Sequence, residues 1–158
     1  FAFSSEVTHA PQNIEVARRL LAEYPRTAIF GRCVCSCGPE GREVDWGGLA
    51  PGNLLVDAAH ARPLGFIWAA PLAAIRQVNG MDTIFADGFW FDDDDFMFRL
   101  WRSGLDFAFT DEISGTHLHH ERHVLDSPAG QAGIQRNAAL MMRKHGTTTP
   151  LQQVQVTQ

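Results

Sequence analysis

The first quarter of the chain contains a helical spacing of apolar residues followed by a strand-like run. Between Pro11, at a first-turn position, and Pro25, which ends the pattern, these apolar residues follow helical spacing: Ile14, Ala17, Leu20, Leu21 and Tyr24. Residues 27–37 are strand-like, and the Gly-Pro-Glu-Gly sequence at 38–41 is typical of a turn. The pattern therefore predicts a helix, a strand and a turn, in that order.

The rest of the chain continues this alternation after an irregular stretch at 47–63. The patterns predict these elements: a strand at 65–69, a helix at 71–78, a helix at 93–103, strands at 107–109 and 113–118, and a final helix from Ser127 to about Lys144. We expect residues 147–158 to form a loose polar tail. Alternating helices and strands favour an α/β sheet that binds ligands at the carboxyl ends of its strands.

Composition and charge narrow the possible functions. The chain has 158 residues, of which 45% are hydrophobic, and this is enough for one globular domain with a core. Its formal charge of -5 argues against nucleic acid or an anionic membrane as a bulk electrostatic partner. No apolar run reaches the roughly 18 residues of a membrane span, and the start has no basic signal-peptide region. We therefore expect a cytoplasmic protein without a membrane span.

Three cysteines, Cys33, Cys35 and Cys37, alternate along the first predicted strand. A zinc site would need a fourth ligand and a wider cysteine spacing. Disulfides between residues at i and i+2 have poor geometry. We expect small, buried or half-buried strand residues in a reducing compartment, with metal binding as the alternative.

Four consecutive aspartates, Asp92 to Asp95, stand directly before an apolar helix that contains Arg99. Adjacent like charges repel by roughly 1 kcal/mol per close pair in water. A helix N-terminus stabilises an acid placed there by only about 0.3–1 kcal/mol. The run therefore carries a local cost, which indicates a functional site; a solvated helix cap with surplus acids is the structural alternative.

An ordered set of motifs surrounds this acidic run. A Gly-Met-Asp turn at 80–82 precedes the acids, Arg99-Leu100 lies on the second turn of the predicted helix, and Gly104 ends it. His117 follows 25 residues after Asp92. In this order the motifs resemble the acceptor-side half of GT-A-fold glycosyltransferases, namely the family-2-like enzymes and the β-1,4-galactosyltransferases. The resemblance implies a GT-A-like (Rossmann-like) mixed sheet with flanking helices.

The chain also departs from the pattern of this family. Asp92 stands where the family usually has Glu, and Trp90-Phe91 replaces a small Gly-Gly pair, so we expect a differently shaped sugar pocket. The family's nucleotide-binding half, with its Asp-x-Asp metal motif, should precede a segment like residues 5–9, and no such motif stands there. We therefore interpret residues 1–146 as the C-terminal, acceptor and catalytic-base portion, apparently lacking the N-terminal half.

The resemblance assigns a role to each acid. Asp93 falls on the Asp that removes the proton of the acceptor hydroxyl in the inverting members, and Asp92 is the first acid of the catalytic pair. Such a general base contributes about 10²–10⁴ in rate. Asp94 and Asp95 are predicted to hydrogen-bond acceptor hydroxyls. Two neighbouring aromatic residues are predicted to stack on sugar rings: Phe89 and Trp90.

Histidines follow the last predicted strand. His117 matches the family's strand-end His, which can ligate the Mn²⁺ or Mg²⁺ that bridges the donor phosphates, and a metal there neutralises the leaving group. His119 shares a strand face with His117 and is the weaker ligand candidate. The cluster at 119–123 does not have the H-E-x-x-H spacing of a metalloprotease.

The combined prediction is a glycosyltransferase that moves a sugar from a nucleotide-sugar donor to the hydroxyl of a carbohydrate or glycoconjugate acceptor. Two alternatives stay open: a non-catalytic remnant that binds carbohydrate or a partner chain, and a metal-dependent hydrolase. We also expect the chain on its own to lack transfer activity and to self-associate or to pair with its missing half, because an uncovered sheet edge promotes association.

Overall fold

The computed structural model describes residues 2–3, 6–35, 54–56, 65–118, 126–154 and 156. Within this part the chain forms six strands, four α-helices and two short 3₁₀ helices, in this order: β1 Ala2–Phe3, β2 Val7–His9, α1 Asn13–Glu23, β3 Thr27–Cys35, β4 Leu54–Val56, β5 Ile67–Ala69, α2 Leu72–Gln77, a 3₁₀ helix Thr83–Phe85, α3 Asp92–Arg102, β6 Asp106–His117, α4 Pro128–His145 and a 3₁₀ helix Pro150–Gln153. The predicted mixed α/β class is confirmed. Cys37, His119 and most of 47–63 lie outside the described residues.

All six strands belong to one mixed sheet, in which β3 is central. The order is β1-β5-β3-β6-β2, and β4 pairs with the far end of β3. β3 and β6 are parallel, whereas β4 and β5 run antiparallel to β3. The carboxyl ends of β3 and β6 therefore meet, with Cys35 paired to His117.

The two strands predicted at 107–109 and 113–118 are one continuous strand, β6. The register of β6 against β3 shifts between Gly31 and Arg32, so three extra residues of β6 are accommodated there. A Cβ built on Gly31 would lie 2.5 Å from Cγ2 of Ile113, which leaves no room for a side chain at this irregularity. The polar residues at 110–112 suggested a loop because they fall on this bulge.

Two helices cover opposite faces of the sheet. Ala17 and Leu20 of α1 pack in a cluster with Ile29 of β3, whereas Phe96 and Leu100 of α3 pack in a cluster with Phe30. Neighbouring residues of a strand point to opposite faces, so α1 and α3 lie on opposite sides of β3. The helical spacing of apolar residues predicted both helices.

The C-terminal segment differs in part from the sequence prediction. The hydroxyl of Ser127 accepts a hydrogen bond from the Gly130 N–H at 3.0 Å, which caps α4 as expected. Beyond α4 we expected a loose polar tail. Instead Leu151, Val154 and Val156, the apolar residues among the glutamines, pack against the core cluster that contains Phe96 and Leu100 of α3.

Cys33 is buried in β3, in line with the expected small strand residue. No helix in the described part of the chain is long and apolar enough to cross a membrane.

Candidate functional site

The acidic run lies at the carboxyl ends of the parallel strands. β5 is antiparallel to β3, so the segment that enters β5 lies at the end where β3 and β6 terminate. Gly65 belongs to this segment, and a Cβ built on it would be 2.9 Å from Oδ2 of Asp93. The N-terminus of α3 is therefore at the end of the sheet where α/β proteins bind ligands.

His117 reaches the same end of the sheet from β6. Its ring makes an edge contact with Phe66, with the ring centroids 5.5 Å apart, and Phe66 directly follows the Gly65 that touches Asp93. The side chain of His117 is only 2% exposed. The structure thus brings Asp93 and His117 to neighbouring positions around one short segment, although they are 24 residues apart in sequence.

Asp93 and Asp94 are acids in an unfavourable environment for charge. Burial, followed by the charge of Asp92, raises the pKa of Asp93, while the backbone N–H of Asp94 donates a 2.9 Å bond that partly offsets the rise. Burial, then the charges of Asp93 and Asp92, raise the pKa of Asp94 to about 7. Asp92 itself is exposed. The acids therefore bind protons more tightly than free aspartates do, as a general base requires.

A strained turn precedes the acids. Trp90 and Phe91 have φ values of 62° and 71°. These lie in the left-handed region, which residues other than Gly, Asn and Asp rarely adopt. Backbone strain of this kind costs of order 1–3 kcal/mol per residue and occurs preferentially at functional sites.

The two aromatic candidates differ in exposure. Trp90 is 53% exposed beside the acids and can offer a ring face to a ligand. Phe89 is half-buried, and a Cβ built on Gly133 of α4 would lie 2.8 Å from its ring, so Phe89 packs against that helix. Phe91 packs with Phe85 and its cluster. Trp90 is therefore the better stacking candidate of the predicted pair.

Asp95 is placed differently from the other three acids. It is fully buried, and its carboxylate contacts Nε of Arg99, Nζ of Lys144 and Nε2 of His145, each at 2.7 Å. Burial alone would raise the pKa of Asp95, but hydrogen bonds from Lys144, His145 and Arg99 hold this pKa below its ordinary value. Both carboxylate oxygens are engaged, so these contacts favour an anchoring role over the predicted contact with acceptor hydroxyls.

This anchor connects three elements that the sequence did not link. The guanidinium of Arg99 also donates to the carbonyls of Val78 and Gly80 beyond α2. Lys144 additionally pairs with Asp82 at 2.6 Å. The predicted turn at 80–82 is thus held against the helix of the acidic run and against α4. Sequence reasoning missed Lys144 and His145, because they lie about 50 residues after Asp95 and carry no motif.

Asn137 is a second residue that sequence reasoning missed. It is buried in α4, and its Nδ2 lies 3.0 Å from the carbonyl oxygen of Phe85, 3.2 Å from that of Phe89 and 3.1 Å from that of Trp90. Its Oδ1 accepts a 2.8 Å bond from Arg136. The strained turn is therefore bound along its length by one amide of α4.

The metal prediction rests on His117 and His119. Among the residues that the structure describes, no group of three or more His, Cys, Asp or Glu side chains is arranged to hold a metal ion. His119 is outside that part of the chain. A hard divalent cation takes about six ligands, so the described donors do not form a fitting set.

Comparisons with protein-family models, with curated proteins and with solved structures found no match to this chain. The interpretation of the site therefore depends on its own residues and geometry.

Proposed function

We propose that the chain is the acceptor-side, catalytic-base portion of a GT-A-like glycosyltransferase, and that the site at the N-terminus of α3 takes a carbohydrate hydroxyl. The observation that carries this proposal is the strained turn directly before the acids. Trp90 and Phe91 have φ values of 62° and 71°, although neither is a glycine. A costly backbone conformation at two residues with bulky side chains supports a constraint from the site.

The chemistry assigned to Asp93 is removal of the acceptor proton. As the acceptor oxygen forms its bond to the anomeric carbon, its proton passes to the Asp93 carboxylate, and the bond to the nucleoside diphosphate breaks with its electron pair on the leaving group. A sugar hydroxyl is a poor nucleophile, so a base at hydrogen-bond distance lowers the barrier. The raised pKa of Asp93 supports this assignment, because it increases the proton affinity of the carboxylate.

Trp90 supplies the apolar part of the proposed acceptor site. Pyranose rings have an apolar face of C–H groups, which packs on an aromatic ring and leaves the hydroxyls at its edge free for hydrogen bonds. The exposed indole stands two residues before Asp92. A sugar stacked on Trp90 would therefore have its hydroxyls close to the acids.

The resemblance implies a bound divalent metal ion, which would neutralise the negative charge of the leaving diphosphate. The described side chains do not complete such a site, so the proposed steps use none. The metal-dependent hydrolase alternative would likewise need donors beyond the described side chains. The non-catalytic carbohydrate-binding alternative shares the same surface and is separated from the enzyme by the assay below.

The test is acceptor-dependent sugar transfer by the complete enzyme, in which this chain is joined to the donor-binding half that the resemblance implies. UDP- and GDP-sugars are incubated with p-nitrophenyl glycosides, and the product mass and anomeric configuration are measured. A glycoside heavier by one sugar residue, with inverted anomeric configuration, supports the proposal. Glycoside binding without transfer supports the binding alternative, and neither binding nor transfer refutes the assignment of the site.

A further inference from the structure

The loop that leads to the acidic run is held by α4 at two adjacent residues. Nδ2 of Asn137 is within 3.2 Å of three carbonyl oxygens, those of Phe85, Phe89 and Trp90. An amide has only two N–H groups, so one of them is shared between two carbonyls. The neighbouring Arg136 donates to the carbonyl of Ile84 at 3.0 Å. Both ends of this loop are therefore fixed to one turn of α4.

The loop and α4 are in close contact at two glycines. A Cβ built on Gly88 would lie 2.5 Å from Oδ1 of Asn137. A Cβ built on Gly133, one helical turn earlier, would lie 2.8 Å from the ring of Phe89. Glycines at these two positions let the loop and the helix approach closely enough for the amide to reach its three carbonyls.

The loop is held in a conformation that it would not adopt by itself. The left-handed conformation disfavours a residue with a Cβ by a factor of about 5 to 30, and it occurs here at both Trp90 and Phe91. The same turn begins α3, because the carbonyl of Phe91 accepts from the N–H of Asp95 at 2.9 Å. Any relaxation of the turn would therefore move the first residues of α3, which include Asp93.

We propose that Asn137 is a positioning residue: its amide clamps the Trp90-Phe91 turn and thereby sets the positions of Trp90, Asp92 and Asp93. The clamp itself follows from the contacts of Asn137. Only the statement that the clamped residues receive a carbohydrate acceptor rests on the proposed function. None of the Asn137 contacts described above involves Asp92 or Asp93. Asn137 therefore acts through the backbone of the turn.

The first test is hydrogen exchange of the turn in Asn137→Ala. The amides of Gly88 and Asp95, bonded to the carbonyls of Phe85 and Phe91, should exchange at least about 10-fold faster, because the variant loses several bonds to the loop. Amides of α1 serve as the internal control and should keep their wild-type rates. Equal acceleration in α1 and in the turn, or no acceleration in the turn, overturns the proposal.

Gly88→Ala gives a second route, which retains Asn137 but displaces its amide. A Cβ at position 88 would lie 2.5 Å from Oδ1, 2.6 Å from Cγ and 2.7 Å from Nδ2 of Asn137, and the backbone φ at Gly88 is not in the left-handed region. We expect faster exchange at Asp95 again, with α1 unchanged. Wild-type exchange at Asp95 in this variant would show that the contact does not control the turn.

A matched pair at position 91 separates positioning from general stabilisation. Phe91→Gly and Phe91→Ala both remove the ring, but only Gly accepts the left-handed conformation without cost. With Asn137 present, the clamp should keep the turn almost fully formed in both variants, so the amide chemical shift of Asp95 should be similar in the two. With Ala at position 137, the Gly variant should exchange about 5- to 30-fold more slowly than the Ala variant. Equal rates in that background overturn the clamp.

The last experiment tests whether the clamp affects ligand binding. Saturation-transfer NMR with p-nitrophenyl glucoside, galactoside and N-acetylglucosaminide measures binding to the wild type and to Asn137→Ala. Weaker binding by the variant, restored by Phe91→Gly but not by Phe91→Ala, supports positioning of the acceptor site. Unchanged glycoside binding in Asn137→Ala overturns that role. If the wild type binds none of the three, the proposed function fails while the exchange result stands.

Discussion

Neutralising Asp94 should stabilise the fold above neutral pH. Burial raises the pKa of this carboxyl from 3.8 to about 7, with further contributions from the charges of Asp93 and Asp92. The folded state therefore binds the proton more tightly than the unfolded chain does. It follows that this group's contribution to stability falls as the pH rises from about 4 to about 7 and stays low above that range.

The size of the effect follows from this pKa difference. At roughly 1.4 kcal/mol per pKa unit, the rise from 3.8 to about 7 corresponds to at most about 4 kcal/mol. Asp94 is partly exposed, so solvent screening reduces this value. Removing an acid from the first turn of α3 also costs about 0.3–1 kcal/mol. We expect Asp94→Asn to be more stable than the wild type by about 1–3 kcal/mol at pH 8.

The assay is urea unfolding at pH 4.5 and pH 8, with Asp111→Asn as the control. Asp111 lies on the exposed bulge of β6, so its variant should show no pH-dependent gain. The stability difference between Asp94→Asn and the wild type should be small at pH 4.5 and largest at pH 8. A variant that is neutral or destabilised at pH 8 would refute the view that the acidic run is held at a cost to stability.

Two further substitutions test other parts of the account. Arg99→Met should destabilise the fold by about 3 kcal/mol in urea unfolding, because buried Asp95 loses one of its three side-chain partners. Arg18→Met, which breaks an exposed pair, should match the wild type. Trp90→Ala should weaken glycoside binding about 5-fold or more by NMR, while Trp90→Phe retains most of it; equal binding by both variants would exclude stacking.

The sequence predicted the elements that have strong local signals. α1 and α3 were found because their apolar residues recur with the period of the helix, and α4 because Ser127-Pro128 is a common N-terminal signal. β6 was divided in two because polar residues occupy its bulge, and a register shift has no local signature. The 3₁₀ helix at Pro150–Gln153 was missed because only its contacts with the core show that it is ordered.

The sequence predicted only those features of the site that depend on charge and on the order of the motifs. Four adjacent acids can be read directly from the sequence. Their placement at the carboxyl end of the sheet follows from the alternation of helices and strands. Asp95 has an anchoring role, unlike the other three acids, because Lys144 and His145 of another helix contact its carboxylate. Asn137 carries no signal at all, since a polar residue in an amphipathic helix is ordinarily expected to face solvent, and only the fold shows that it is buried.

The most direct test of the account is the turnover of Asp93→Asn in the complete enzyme, measured together with donor binding. Asparagine keeps the shape of the side chain but cannot accept the acceptor proton. We expect turnover to fall by at least about 10², with donor affinity near the wild-type value. Asp111→Asn should retain wild-type turnover. Wild-type turnover by Asp93→Asn would contradict the central claim that this carboxylate is the general base.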